Sequence, residues 1–260
     1  MIYCRLLTCF FLFTLVSLSA TAVPPASPAG GRMLRLDETH DFVGTGQAWF
    51  PNGQFEVLTA EAWIYLEELP EPGTFWSIIG QEGRFNLLIH GGGGLGGWVR
   101  KQSANRPAII SHVKRFPTRE WVHVVGFFDV KVSFAINGNG GIPRHQEGPF
   151  GGSDKPLRVG GIVPQGEERP RFVGKSVKLR GYIDEVRISN ILRYEERDWK
   201  VPEGKFKVDE HTIALWHFDG SPWAGRFKDE SENGYYLWKS DVMPVEARDK
   251  LTTLWGALKR

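Results

Sequence analysis

The stretch Arg180-Gly-Tyr-Ile-Asp-Glu-Val-Arg-Ile-Ser189 limits the fold more tightly than any other part of the chain. A strand sends successive side chains to opposite faces, so Tyr182, Asp184, Val186 and Ile188 are predicted on one side and Ile183, Glu185 and Arg187 on the other. The first side is mostly apolar but holds an acid. An unpaired carboxylate costs several kcal/mol to bury, which predicts Asp184 at the strand entrance, accepting backbone amide hydrogens or holding a cation. The second side suits a wetter surface with its charges paired across a neighbouring strand. One core face and one tolerant face together predict a sandwich of two sheets.

Other strands follow from the same alternation. Ala62, Ile64 and Leu66 alternate with Glu61, Trp63 and Tyr65, giving an aliphatic face and a mixed one. If this strand neighbours the one at 180–189, Glu61 and Arg187 form a cross-strand ion pair worth about 0.2–1 kcal/mol when exposed. The segments 75–79 and 85–89 make a hairpin through 81–84. The strand at 121–128 is apolar on both faces, as a central strand covered on both sides would be, and His123 within it reads as a packed, hydrogen-bonded histidine. Asn137-Gly138 is a hairpin signal. Gly91 to Gly97 contains G-x-G-x-x-G, but no helical pattern follows to build a phosphate site, so a flexible hairpin loop is expected. Residues 191–199 are expected to form a short helical turn leading away from the sandwich. Residues 212–219 read as another strand, which pairs back onto an edge of the same sandwich because too little chain remains for a second core.

Five of these stretches carry a resemblance. Gly181-Tyr-Ile-Asp-Glu-Val-Arg-Ile-Ser189 resembles the closing strand of laminin-G-like, concanavalin A-like jelly-roll domains, whose usual form is G-x-I-D-E-V-R-I. Leu34-Arg-Leu-Asp37 with Asp41-Phe-Val43, Leu58-Thr-Ala-Glu-Ala-Trp-Ile64, Trp121-Val-His-Val-Val125 and Phe134-Ala-Ile-Asn-Gly138 match the same family in order. The resemblance covers about residues 33 to 194. It implies an all-β, two-sheet antiparallel jelly-roll sandwich, here with a short C-terminal amphipathic helix, and says far less about function.

The ends of the chain carry separate signals. Met1 to Ala22 reads as a secretory signal, with Arg5 before a short apolar run and Ala20-Thr-Ala22 fitting the small-x-small cleavage rule. The run is too short for a membrane span, so the protein is expected outside the cell or on its surface. Cys4 and Cys9, the only cysteines, leave with the signal; the remainder has no disulfide, thiol nucleophile or thiolate metal site. A net charge of +2 suggests neither nucleic acid nor an anionic membrane as partner. Residues 23–32 are rich in proline and glycine and are expected to be a flexible leader, with the jelly roll over 33–240. Leu251, Leu254, Trp255 and Leu258 recur at helical spacing in the tail 241–260, which would either dock on the sandwich or bind a protein partner.

Function is expected to be binding rather than reaction. Glycoside hydrolases on this fold commonly set two carboxylates along one strand, yet Trp63 and Tyr65 stand where acids would follow Glu61. Asp184 and Glu185, adjacent on a strand, are expected to point to opposite faces. There is also no G-x-S-x-G elbow. The resemblance implies calcium in many members, for which Asp37, Asp41 and Asp184 are the candidate ligands; the same acids serve equally well as caps of turns. Asp229-x-Ser231-x-Asn233-Gly234 copies half an EF-hand loop, but Ser240 replaces the closing glutamate, which favours a turn. Ten tryptophans suit stacking on sugar rings, and Trp49, Trp76, Trp98 and Trp223 near loops or strand ends are the candidate platforms. The leading expectation is a secreted module for carbohydrate or glycosylated surfaces, with calcium as the candidate cofactor. A protein-binding adhesion or scaffolding module comes second, and a glycoside hydrolase or lyase third.

Overall fold

The computed structural model describes residues 24–37, 43–46, 49, 56–100, 108–145, 151–161, 175–177, 179–194, 199–220 and 225–239. The secretory signal, Asp41, Trp223 and the tail 241–260 lie outside them. Two sheets face each other. The first runs in the order β1 (Leu34–Leu36), β14 (Gly181–Ser189), β3 (Leu58–Tyr65), β8 (Trp121–Phe128), β9 (Lys131–Ile136) and β10 (Asn139–Gly140). In this sheet β15 (Thr212–Trp216) also pairs with β14, and β11 (Arg144–His145) with β9. The second runs β16 (Arg226–Phe227), β17 (Leu237–Lys239), β2 (Val43–Gly44), β12 (Leu157–Val159), β4 (Thr74–Gln81), β5 (Phe85–His90), β6 (Gly94–Val99) and β7 (Ala108–Arg115). Only β13 (Lys175–Val177), on β4, pairs in parallel; the rest is the antiparallel jelly-roll sandwich. Among the described residues there is no helix, and so none long and apolar enough to cross a membrane.

The alternation read in β3 and β8 holds. Ala60, Ala62 and Ile64 with Val122 and Val124 point between the sheets, where they meet Ile79, Leu87, Leu157 and Val159 in one buried core. Glu61, Trp63, His123, Val125 and Phe127 point the other way and are buried too. Asn137 and Gly138 take φ of 47° and 76°, turning β9 into β10 as a two-residue hairpin requires. The predicted hairpin of β4 and β5 forms through residues 82–84.

In β14 the alternation breaks. Its register against β3 shifts between Asp184 and Arg187, and Glu185 takes a φ of 50°, marking an extra residue inserted as a β-bulge. One inserted residue reverses the face of everything on its far side. Ile183 therefore joins Val186 and Ile188 in the core, while Asp184, opposite Trp63, lies on the outer face with Arg187, opposite Glu61. Asp184 is fully buried there, in mid-strand, instead of at the strand entrance. Glu185 also reaches the outer side, accepting the Phe206 amide hydrogen at 2.7 Å, so the two acids do not oppose each other across the sheet.

Three loop expectations are corrected as well. Residues 191–194 and 199 do not lead away. With 200–211 they lie over the first sheet, where Tyr194 and Trp199 cover Val125 and Phe127, and Val201 and Phe206 cover Trp63. Those outer-face side chains are large and apolar, and the chain itself supplies their cover. The leader is docked: Pro25 accepts the Trp121 indole N–H at 2.8 Å, and Asp219 accepts the Arg32 amide at 2.7 Å. Gly94 to Gly97 belong to β6 and not to a loop. A Cβ at Gly97 would collide with the Asn86 backbone carbonyl of β5 and come within 2.9 Å of the Phe134 ring on the facing sheet, so only glycine fits there. Finally, β15 closes onto β14 and β17 onto β2, so the chain beyond the closing strand completes both sheets.

Candidate functional site

The two outer faces differ in kind. That of the first sheet is sealed around Glu61, which is fully buried. Glu61 Oε1 accepts from Arg187 Nε at 2.8 Å and Nη2 at 2.7 Å. Its Oε2 accepts from the Tyr194 hydroxyl at 2.7 Å and lies 3.0 Å from His123 Nε2. Burial pushes the Glu61 carboxyl up, but the His123 hydrogen bond, the Arg187 charge and the Tyr194 hydroxyl outweigh it and hold it below the usual carboxylate range. Burial and the Glu61 charge raise the Tyr194 hydroxyl, which therefore stays a donor. Arg193 grips Asp209 with two hydrogen bonds of 2.8 and 2.7 Å, fastening the covering segment. The pair expected between Glu61 and Arg187 is thus present, but as a buried lock and not a surface contact.

The outer face of the second sheet carries a cross-strand row. The pairings Arg226 to Trp238, Trp238 to Gly44, Gly44 to Arg158, Arg158 to Gly80, Gly80 to Asn86 and Asn86 to Trp98 place all of these residues on one face. Their strand neighbours Phe227, Leu237, Val43, Val159, Ile79 and Leu87 point into the core. At the accessible end Arg226 is exposed, and Tyr236 and Trp238 are half-buried. The Arg226 guanidinium lies 5.0 Å from the centre of the Tyr236 ring and 5.7 Å from that of Trp238. Gly44 and Gly80 flank half-buried Arg158 and add no side chain, leaving a low floor on either side of it. At the buried end Asn86 accepts the Ser77 hydroxyl at 2.6 Å, while its amide Nδ2 has no hydrogen-bond partner.

A family model described as the concanavalin A-like lectin/glucanases superfamily, of the laminin-G type, matches residues 37–197. The chain belongs to that superfamily. No curated protein matches it. Among solved structures it is similar to a protein of Bacteroides ovatus to which carbohydrate binding is ascribed, with a TM-score of 0.55 and 19% identity over 80% of this chain. The match spans only 57% of that protein. It is also similar to the enzymatically active domain of tailspike protein 2 from bacteriophage CBA120, with a TM-score of 0.51 and 16% identity, covering 76% of this chain and 32% of that one. The Ruminococcus gnavus IT-sialidase CBM40 bound to α2,3-sialyllactose gives a TM-score of 0.47 and 14% identity, covering 64% and 95%. At these identities the likeness shows the shared fold.

Against this laminin-G-type frame, the candidate metal ligands separate. The β1 and β14 strands do meet, but Leu34 opposes Ile183 and Leu36 opposes Gly181. Asp37 and Asp184 therefore sit beyond opposite ends of the ladder, about 13 Å apart along it. Asp37 pairs with Arg35 at 3.2 Å. Asp184 accepts the Glu185 amide at 2.9 Å, and burial, with the nearby charges of Glu185 and Asp219, pushes its carboxyl up to about 7 against hydrogen bonds from Ser27 and that amide. Asp37 and Asp184 do not fit one calcium site, and the described residues contain no other group of three or more acids, histidines or cysteines suited to a metal. The half EF-hand is a turn: Asp229 accepts the amides of Leu215, Ser231 and Tyr235, each at 3.0 Å.

The candidate platforms are corrected too. Trp49, Trp76 and Trp98 are 0%, 4% and 4% exposed, so none offers a ring face to a sugar. Trp76 lies in the central core, Trp49 packs against Phe85 and Tyr235, and Trp98 meets Phe75 edge to face at 5.8 Å. Proximity to a strand end did not outweigh the gain from burying so large an apolar surface. The residues missed are Tyr236, Trp238, Arg226 and Arg158. The run Tyr235-Tyr-Leu-Trp238 holds the relevant signal, since an inward Leu237 sends Tyr236 and Trp238 outward together.

Proposed function

We propose that this chain is a secreted carbohydrate-binding module that holds glycans on the outer face of its second sheet. Tyr236 and Trp238 supply the stacking surface, and Arg226 and Arg158 supply donors for ring hydroxyls. One observation carries this reading: an accessible aromatic pair beside two guanidinium groups and a glycine floor, at the β16–β17 end of an outer face whose other end, at Phe75, Leu88 and Trp98, is buried. The carbohydrate binding ascribed to the Bacteroides ovatus protein supports it. Binding without catalysis is favoured because Glu61, Asp184 and Glu185, the acids closest to a pair, are all fully buried. A role for calcium rests on the family resemblance alone.

A glycan array probed with the secreted chain, once with calcium and once with a chelator, tests this. Retention of a glycan class is expected, and Trp238→Ala is expected to weaken it by about tenfold or more, the loss typical of an aromatic anchor. An empty array in both conditions overturns the reading in favour of a protein partner. Release of new reducing ends from a retained glycan would instead make the protein a hydrolase. Export makes its own prediction: mass spectrometry of protein collected outside the cell finds Val23 as the first residue. Protein confined to the cell with Met1 intact contradicts it.

A further inference from the structure

We propose that one end of the first sheet's outer face is a second binding site, an aromatic platform for an extended proline-rich peptide, and that the chain's own leader is its tethered occupant. The platform is a row of three rings. Tyr182 pairs with Tyr65 and Tyr65 with Trp121 across β14, β3 and β8, which places all three on one face. Their ring centres lie 6.1 and 5.8 Å apart. Tyr65 is buried, whereas Tyr182 and Trp121 are half-buried. The leader crosses this end of the sheet from β14 to β8. Ser27 reaches Asp184 on β14, and the Pro25 carbonyl accepts the Trp121 indole N–H on β8 at 2.8 Å.

The resident segment shows which chemistry the platform takes. Proline fixes φ at about −65° and keeps the residue before it extended, so Pro24-Pro-Ala-Ser-Pro28 is pre-set toward the polyproline II helix, with its three residues per turn. Burial follows that period: Pro24 and Ser27 are buried, while Pro25, Ala26 and Pro28 are exposed. Such a helix leaves its carbonyls without internal partners, and here one of them takes the indole donor of Trp121. Aromatic surfaces recognise proline-rich segments by this chemistry, because the peptide has little conformational entropy left to lose. Little else holds the leader. Among the described residues it enters no strand pairing. Past Gly30 and Gly31, left-handed at φ of 74° and 73°, its next anchor is Asp219, which accepts the Arg32 amide at 2.7 Å. A stretch held this lightly belongs to the low-stability end of the molecule and yields to a competing peptide of the same kind. The partner so defined presents Pro-x-x-Ser, or another small residue in the last place, in an extended segment.

Two variants of the full secreted chain open the platform without altering it. In Gly31→Ala the new Cβ would lie 2.0 Å from Asp219 Oδ1, on a left-handed backbone, which prises the leader from its anchor. Pro24→Gly combined with Pro25→Gly removes the extended preset instead. Both should keep the wild-type thermal melt, since the changes lie outside the two sheets. A synthetic peptide of residues 24–31 is titrated into each and followed through the Trp121 indole N–H resonance. Both variants should bind it about tenfold or more tightly than wild type, where the tethered leader competes at an effective concentration of about a millimolar. Trp121→Phe in the Gly31→Ala background keeps a ring, loses the donor, and should weaken the peptide by about fivefold. The same peptide with alanine at its three proline positions should not bind. A Trp121 resonance that stays in place in both variants at millimolar peptide, or equal binding of the proline and alanine peptides, would overturn the inference. So would a dimer of either variant that excess peptide leaves intact, which would assign the platform to the leader of a second copy. None of these outcomes touches the glycan face, where Trp238 reports.

Discussion

Glu61→Ala lowers the unfolding free energy by about 3–5 kcal/mol, measured by urea denaturation at neutral pH. The carboxylate satisfies Arg187, Tyr194 and His123 at once. Removing it leaves a guanidinium only 7% exposed without its counter-charge, and leaves the Tyr194 hydroxyl of the covering chain without its acceptor. The loss exceeds that of a surface pair because the partners cannot turn to water. Glu61 is held below its ordinary pKa, so its contribution is complete above the unfolded value and is lost as pH falls through the folded one. Wild type therefore loses this part of its acid stability and Glu61→Ala does not. A loss below about 1 kcal/mol would show that the lock contributes no more than an exposed pair.

Asp184 acts in the opposite sense. Its folded carboxyl titrates at about 7, whereas an unfolded aspartate titrates near 3.9. Between those values the folded state binds more protons, so stability falls as pH rises, by about 1.4 kcal/mol per unit, and levels off above pH 7. Asp184→Asn removes this penalty. The variant is expected to be more stable than wild type at pH 8, by up to about 4 kcal/mol, and to show a flatter profile between pH 4 and 7. Denaturation series across that range check it, and a wild-type slope retained in the variant would refute it. Below the unfolded pKa the two proteins should converge, apart from any difference in hydrogen bonding to the Glu185 amide.

Much of the fold was legible because it rests on uninterrupted alternation. β3 and β8 carry a strict period of two, and the Asn137-Gly138 turn has only one convenient use. β14 was misread at one residue. Nothing in Asp184-Glu185-Val186 announces a bulge, and Glu185 takes its left-handed backbone because Val186 and Ile188 must still reach the core. That single insertion put Asp184 on the outer face, while the β1–β14 register, which no local pattern shows, set it about 13 Å along the ladder from Asp37. The cover over the first sheet was illegible for another reason. Tyr194, Trp199 and Phe206 lie in irregular chain, where no periodicity reveals a buried face. For the binding face, residue type pointed correctly to tryptophan but chose the wrong ones. Trp238 and Trp98 each stand one strand in from an edge of the second sheet; what distinguishes them is that Trp98 packs against Phe75 and Leu88, and such contacts depend on strand pairings that no single segment displays.

The most direct test of the second-sheet binding face is a titration of labelled protein with its best-retained glycan, followed through the tryptophan indole N–H resonances and assigned with Trp238→Phe. The Trp238 resonance should move in proportion to bound glycan, while those of Trp63 and Trp216, buried on and beneath the first sheet, stay in place. Movement of Trp121 or Trp199, on the sealed face, with Trp238 unchanged would place the site on the other sheet and contradict the account.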